Sequence, residues 1–64
     1  MAAEANHLPE ARRLMQDHPE WEAWVGIVNR QWHARLKGAI PPVMVHDDNP
    51  QGLRQQIEQF ERQL

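Results

Sequence analysis

The sequence predicts an all-α fold, a small three-helix domain with a short helix 1, a long helix 2 and an amphipathic helix 3. Two observations predict it. Proline stands directly before Glu or Gln at Pro9, Pro19 and Pro50, and proline is tolerated in a first helical turn, where its missing N–H would be unpaired anyway. Large apolar residues also recur at helical spacing after these prolines. We expect residues 1–64 to form a single domain in which residues 1–7 are flexible.

Helix 1 is predicted over about Pro9 to Gln16. Leu8, Ala11 and Met15 fall at helical spacing along it. A segment this short does not stay helical alone in water, so we expect it to pack across the other two helices.

Helix 2 is predicted over about Pro19 to Lys37, with Gly38 as the stop, and the sequence leaves open whether Asp17 or His18 is its cap. At 100° per residue one continuous apolar stripe forms on it, made of Trp21, Trp24, Val25, Val28, Trp32 and Leu36. Ala23, Ile27 and Ala34 form a second, weaker strip. The acidic start and basic end of the segment suit a helix dipole. Trp24 and Trp32 are therefore expected in the core, and Trp21, in the first turn, is expected to be partly exposed.

An extended Pro-rich connection is predicted between helices 2 and 3, from Gly38 to Asp48. Pro41 and Pro42 favour an extended path, and residues 43–45 are β-prone. We expect Ile40 and one or two of Val43, Met44 and Val45 to pack against the helices.

Helix 3 is predicted over about Pro50 to Leu64, because its apolar residues recur at intervals of three and four. The sequence leaves open whether Asp48 or Asn49 is its cap. The apolar residues form one narrow seam, made of Leu53, Ile57, Phe60 and Leu64.

The composition excludes several kinds of catalyst. The chain has no Cys, Ser, Thr or Tyr and a single lysine, Lys37, so the usual hydroxyl and thiol nucleophiles and a phosphate-binding Walker loop are absent. Acid–base catalysis by Asp, Glu or His needs a cleft that perturbs a pKa, and a helical domain of 64 residues rarely has room for one. We therefore expect no enzymatic activity and no cofactor. Without cysteine nothing indicates an oxidising compartment, and no apolar run could span a membrane. A cytoplasmic location is expected.

Four histidines raise the question of a metal site. They are His7, His18, His33 and His46, and no two of them lie within ten residues of each other. Zinc sites place paired ligands at short, fixed spacing, so no metal site is predicted.

The function expected is that of a small non-enzymatic protein-binding module: an adaptor, an inhibitor or an assembly factor. A marginal core and spare apolar surface suggest that the partner is another protein or a second copy of this chain, and a homo-oligomer is expected. The predicted contact residues are Trp21, Ile27, Arg30, Val43, Met44 and Val45.

Two alternatives stay open. One is a nucleic-acid-binding transcriptional regulator that acts as a dimer through Arg12, Arg13, Arg30, Arg35 and Lys37. The net charge of -2 and the acidic Glu20 and Glu22 count against it, because nucleic-acid binders carry a basic footprint. The other is a small accessory subunit that contributes carboxylates or His46 to an enzyme complex.

Overall fold

A computed structural model describes residues 4–5 and 8–63, and within them the chain is an α+β domain with two helices on one face of an antiparallel sheet. The elements in chain order are β1 (Glu4–Ala5), α1 (Pro9–Asp17), β2 (Trp21–Gly26), β3 (Trp32–Leu36), β4 (Met44–Asp47) and α2 (Pro50–Glu61). The sheet order follows the chain, with three main strands and the two-residue β1 beside β2. The predicted all-α three-helix domain is therefore wrong.

The error lies in the predicted helix 2, which is the β2–β3 hairpin. Trp and Val are strong β formers, and Trp21 and Ala23 are buried on either side of the more exposed Glu22, the two-residue alternation of a strand. Two residues inside the predicted helix make the turn instead. Gly26 ends β2, and Asn29 Oδ1 accepts a hydrogen bond from the Gln31 N–H at 3.0 Å.

The other two predicted helices are present. α1 extends one residue beyond the prediction, so that Asp17 ends a helix and does not cap one. α2 begins at Pro50, and the open question of its cap is settled for Asn49, whose Oδ1 accepts from the Gly52 N–H at 2.7 Å. Leu64 lies outside the described residues. The expected flexibility of residues 1–7 also concerns residues outside the described part of the chain, except for Glu4–Ala5, which pairs with β2.

The core lies between the helices and one face of the sheet. Trp21 and Ala23 of β2 point into it, and Ala23 lies directly opposite Ala34 of β3. The buried residues are Ala11, Leu14, Trp21, Ala23, Trp32, Ala34, Leu53 and Ile57. Because three of them are alanines, the helices can lie close to the strands. Ala23 and Ala34 of the weaker predicted strip are thus part of the core, whereas Ile27, its third member, is exposed.

The predicted Pro-rich connection is divided by the structure into a loop and a strand. Its β-prone end becomes β4, which pairs antiparallel with β3. Ile40 lies in the loop and is 95% exposed, so the expectation that it is tucked in is wrong. The exposure of Ile40 follows from the formation of β4. β4 hydrogen-bonds to β3, and the prolines before it stay outside the sheet in the loop, together with Ile40.

Candidate functional site

The six predicted contact residues do not form one surface. Trp21 is only 1% exposed, so the prediction of partial exposure is wrong: the residue points inward at the start of β2. Val43 and Val45 pack against the core and are half-buried. Ile27 and Arg30 are exposed in the β2–β3 turn.

Met44 is the sixth predicted contact residue, and its side chain is 55% exposed on β4. It pairs with Arg35, near the end of β3 that is farther from the β2–β3 turn. Met44 therefore belongs to a different surface from the turn residues.

That surface is the sheet face turned away from the helices, because side chains alternate between the two faces along each strand. In the described part of the chain no element packs on it. We call it the open face, and it carries Glu22, Trp24, His33, Arg35, Met44 and His46. The strand register arranges these side chains in two rows across the strands.

The first row is aromatic and runs from Trp24 through His33 to His46. The Trp24 and His33 rings are stacked, with centroids 5.5 Å apart and an angle of 21° between their planes. The His33 and His46 centroids are 6.2 Å apart at 49°. Each ring of the stacked pair covers one face of the other, and the row forms a continuous aromatic surface across three strands.

The second row contains an ion pair and a thioether. Arg35 donates from Nη2 to Oε1 of Glu22, which lies opposite it on β2, at 2.8 Å. Met44 is the cross-strand neighbour of Arg35 on the other side. Because the two charges compensate each other, this row adds no net charge to the open face.

The expectation that Trp24 lies in the core is wrong, and sequence reasoning did not single out His33 or His46 as contact residues for a protein partner. The available signal was the two-residue alternation: Trp24 lies between Ala23 and Val25, and His33 lies between Trp32 and Ala34. In a strand this pattern places the flanking apolar residues inward and the central ring outward. Read as a helix, Trp24, Val25 and Trp32 instead fall on one apolar stripe, which hides the alternation.

A concave surface lies between the two helices. It is a groove of about 600 Å³ lined by Pro9, Glu10, Arg13, Leu14, Asn49, Pro50, Gln51 and Arg54. Both of its arginines pair with Asp17, Arg54 Nη1 at 2.9 Å and Arg13 Nε at 4.0 Å from the same Oδ2. The cations of the groove are thus already partnered within the protein.

The cations considered for nucleic-acid binding are spread over several surfaces. Arg12 and Arg13 are exposed on α1, whereas Arg30 lies in the β2–β3 turn and Arg35 on the open face. Lys37 follows β3 and donates from Nζ to the Pro19 carbonyl oxygen at 3.2 Å. These five residues do not make one basic patch.

The histidines are likewise dispersed. His18 contacts Glu61 and Glu58 at the end of α2, whereas His33 and His46 lie on the open face. His7 lies outside the described residues. Within residues 4–5 and 8–63 no group of three His, Asp or Glu side chains is placed to hold a metal ion.

Fold and site together define a small two-layer α+β domain that covers one sheet face with helices and exposes an aromatic row on the other. No known family model, curated protein or solved structure gives a significant match to this chain. Over the described residues, no helix has the length and apolar character needed to cross a membrane.

Proposed function

We propose that this chain is a small, non-enzymatic protein-binding module of the cytoplasm, and that it binds its partner through the open face. The observation that carries the proposal is the placement of Trp24 on a sheet face that no described element covers, in the same surface as Met44 and Arg35. Trp, Met and Arg are enriched at protein interfaces, and Trp and Arg dominate binding hot spots.

Stacking within the face supports this role. Trp24 stacks on His33, and this contact restricts both rings before a partner binds. Ordering a side chain at an interface costs about 0.5–1.5 kcal/mol, so a ring that already packs on its neighbour loses less freedom on binding.

A protein partner suits the chemistry of the face better than a nucleic acid. A phosphate needs a cation that is not already paired, and Arg35, the arginine of the open face, is paired with Glu22. The net charge of -2 also disfavours a polyanionic partner. The nucleic-acid-binding regulator is therefore the weaker alternative.

Further apolar side chains extend the surface available to a partner. Val28 is 86% exposed in the β2–β3 turn and Ile40 is 95% exposed in the β3–β4 loop, at opposite ends of the sheet. A stable interface buries about 800 Å² on each side. Six side chains of a short sheet are too few for this area, so we expect the partner also to contact one of these ends.

The test is capture of the partner from a lysate of the source organism, followed by quantitative mass spectrometry. Trp24→Ala removes the central ring, and Gln55→Ala is the matched control because Gln55 is exposed on α2. We expect Trp24→Ala to reduce capture of a specific protein by about tenfold or more, as for hot-spot residues, and the control to leave it unchanged.

A second variant separates loss of binding from loss of folding. His33→Glu introduces a charge in the aromatic row, and Gln55→Glu introduces the same charge on α2. Circular dichroism identifies the variants that remain folded. Capture that persists with folded Trp24→Ala and His33→Glu, or that falls equally with the controls, contradicts the proposal.

A further inference from the structure

β4 forms an edge of the sheet, and its hydrogen-bonding pattern can be derived from the register. The Leu36 N–H donates to the Val43 carbonyl oxygen at 3.0 Å, and Ala34 lies opposite Val45. In an antiparallel pair, hydrogen-bonded and non-hydrogen-bonded positions alternate. The N–H and C=O groups of Val45 therefore point to β3, whereas those of Met44 and His46 point away from the sheet.

This edge lacks several of the features that keep strands from pairing. Natural edges are blocked by short strands, charged side chains, prolines, bulges or a covering segment. β4 is short and ends at Asp47, but Met44, Val45 and His46 include no lysine or proline, and Pro42 lies outside the strand. In the described part of the chain, β3 is the one strand that pairs with β4. The outward groups of Met44 and His46 thus form a template for one more antiparallel strand.

The flank of α2 beside this edge can be identified from its contacts. Arg54 binds Asp17 and Glu58 contacts His18, so that side of α2 faces α1. Gly52 lies against the side chain of Asp47, the last residue of β4, and therefore marks the side that faces the edge.

Gln56 and Gln59 follow Gly52 by four and seven residues, which places them on the same flank. Both are exposed and uncharged. An amide side chain both donates and accepts hydrogen bonds, so this flank is complementary to a copy of itself, as a two-fold interface requires.

We propose that the β4 edge binds the β4 edge of a second copy of this chain in antiparallel orientation, with α2 of each copy alongside. The inference deepens the proposed function and rests on it, because the joined sheets present their two open faces as one binding surface. Two four-stranded sheets thus become one sheet of eight strands.

The prolines and the outward groups select the register. In one register the two-fold axis passes between the Val45 residues of the two copies. This register places Met44 of each copy opposite His46 of the other, so that all the outward N–H and C=O groups of these residues are bonded. A register with the two-fold axis between the Met44 residues would place His46 opposite Pro42, which has no N–H to donate. In the favoured register the aromatic row of one copy continues into Met44 and Arg35 of the other.

The test is the mass of the full chain in solution, measured by analytical ultracentrifugation over a range of concentrations. A dimer has twice the 7.5 kDa of one chain. Met44→Pro removes one outward N–H and leaves the bonds between β4 and β3 in place. Gln56→Lys puts like charges on both sides of the two-fold axis. Gln55→Lys is its matched control, with the same charge on an exposed α2 position away from the edge.

We expect a dimer for the unaltered chain and for Gln55→Lys, and a dissociation constant raised about tenfold or more for Met44→Pro and Gln56→Lys, since the interface is short. Hydrogen exchange gives a second readout, because the Met44 and His46 amides should be protected at high concentration and exposed at low concentration. A chain that is monomeric at about 500 µM, or a dimer that neither variant weakens, overturns the inference.

The two proposals fail in different ways. Trp24 lies on β2, away from the edge, so Trp24→Ala should leave the dimer intact while it reduces capture of the partner. A monomeric chain whose partner capture still depends on Trp24 contradicts the dimer and leaves the proposed function standing. A dimer whose open face captures nothing contradicts the proposed function alone.

Discussion

The indole Nε1 of Trp21 donates a hydrogen bond to Oε2 of Glu61 at 3.1 Å. The other carboxylate oxygen of Glu61 accepts from Nδ1 of His18, also at 3.1 Å. Trp21 begins β2 and Glu61 ends α2, so one carboxylate links the first long strand to the last helix. A Trp side chain that is 1% exposed has little access to water, and this contact satisfies its only polar group.

Removal of this carboxylate should destabilise the domain. We expect Glu61→Ala to lower the free energy of unfolding by about 1–3 kcal/mol, because the buried indole N–H loses its acceptor. Glu58→Ala is the control, since Glu58 Oε2 lies 3.7 Å from His18 Nε2 and the acceptor of the Trp21 N–H is Glu61. Urea denaturation measures both, and equal losses would show that the bond to Trp21 contributes nothing.

Two substitutions at positive φ should change stability in opposite directions. Arg30 has φ of 56° and Gly38 has φ of 74°, a region where side chains with a Cβ are strained. Arg30→Gly should raise the free energy of unfolding by about 0.5–1 kcal/mol, and Gly38→Ala should lower it by about 1 kcal/mol. Thermal melting compares them, and a loss of stability in Arg30→Gly would mean that its side chain makes a stabilising contact.

The cap of α2 should depend on one side chain. Asn49→Ala removes the acceptor of the Gly52 N–H and should cost about 1 kcal/mol. Asp48→Ala removes an exposed hydrogen bond from Gln31 Nε2 at 2.7 Å and should cost less, because exposed polar contacts contribute little. Chemical denaturation measures the free energy of unfolding of both variants. A larger loss for Asp48→Ala than for Asn49→Ala would contradict Asn49 as the cap.

The alanines of the core should not tolerate larger side chains. Ala34 is fully buried and lies opposite Ala23, so Ala34→Leu should push a helix from the sheet at a cost of about 1–3 kcal/mol. Ala39→Leu, in the partly exposed β3–β4 loop, should be nearly neutral. Urea unfolding curves test this, and a stable Ala34→Leu protein would mean that the helices do not press on the strands.

Local signals were sufficient for the two helices. At Pro9 and Pro50 the proline and the residues after it favour a first helical turn irrespective of what packs against it. Local signals also predicted the extended conformation of residues 43–45, of which 44 and 45 lie in β4 and 43 directly precedes it. These features depend on the backbone preferences of neighbouring residues, so a sequence is enough to place them.

The candidate site could not be found in this way. Its residues come from three strands, and the aromatic row exists only because the register sets Trp24 beside His33 and His33 beside His46. The predicted contact residue Met44 does lie on the open face, whereas Trp21 points to the core. Which face a side chain takes in a strand follows from pairing between segments distant in sequence.

Residues 19–37 show where local information ends. Trp21, Trp24 and Val25 fit a helical stripe, yet Trp21 and Val25 also fit a strand together with Ala23, and periodicity cannot separate the two in a short segment. Packing selects the strand, because the small side chains of Ala23 and Ala34, paired across β2 and β3, let both helices pack on the sheet. The sequence by itself determined two helix starts, a β-prone segment and a chain without hydroxyl or thiol chemistry, because these depend on single residues and their neighbours. Only the tertiary structure decided the hairpin and the open face, because they depend on contacts between distant segments.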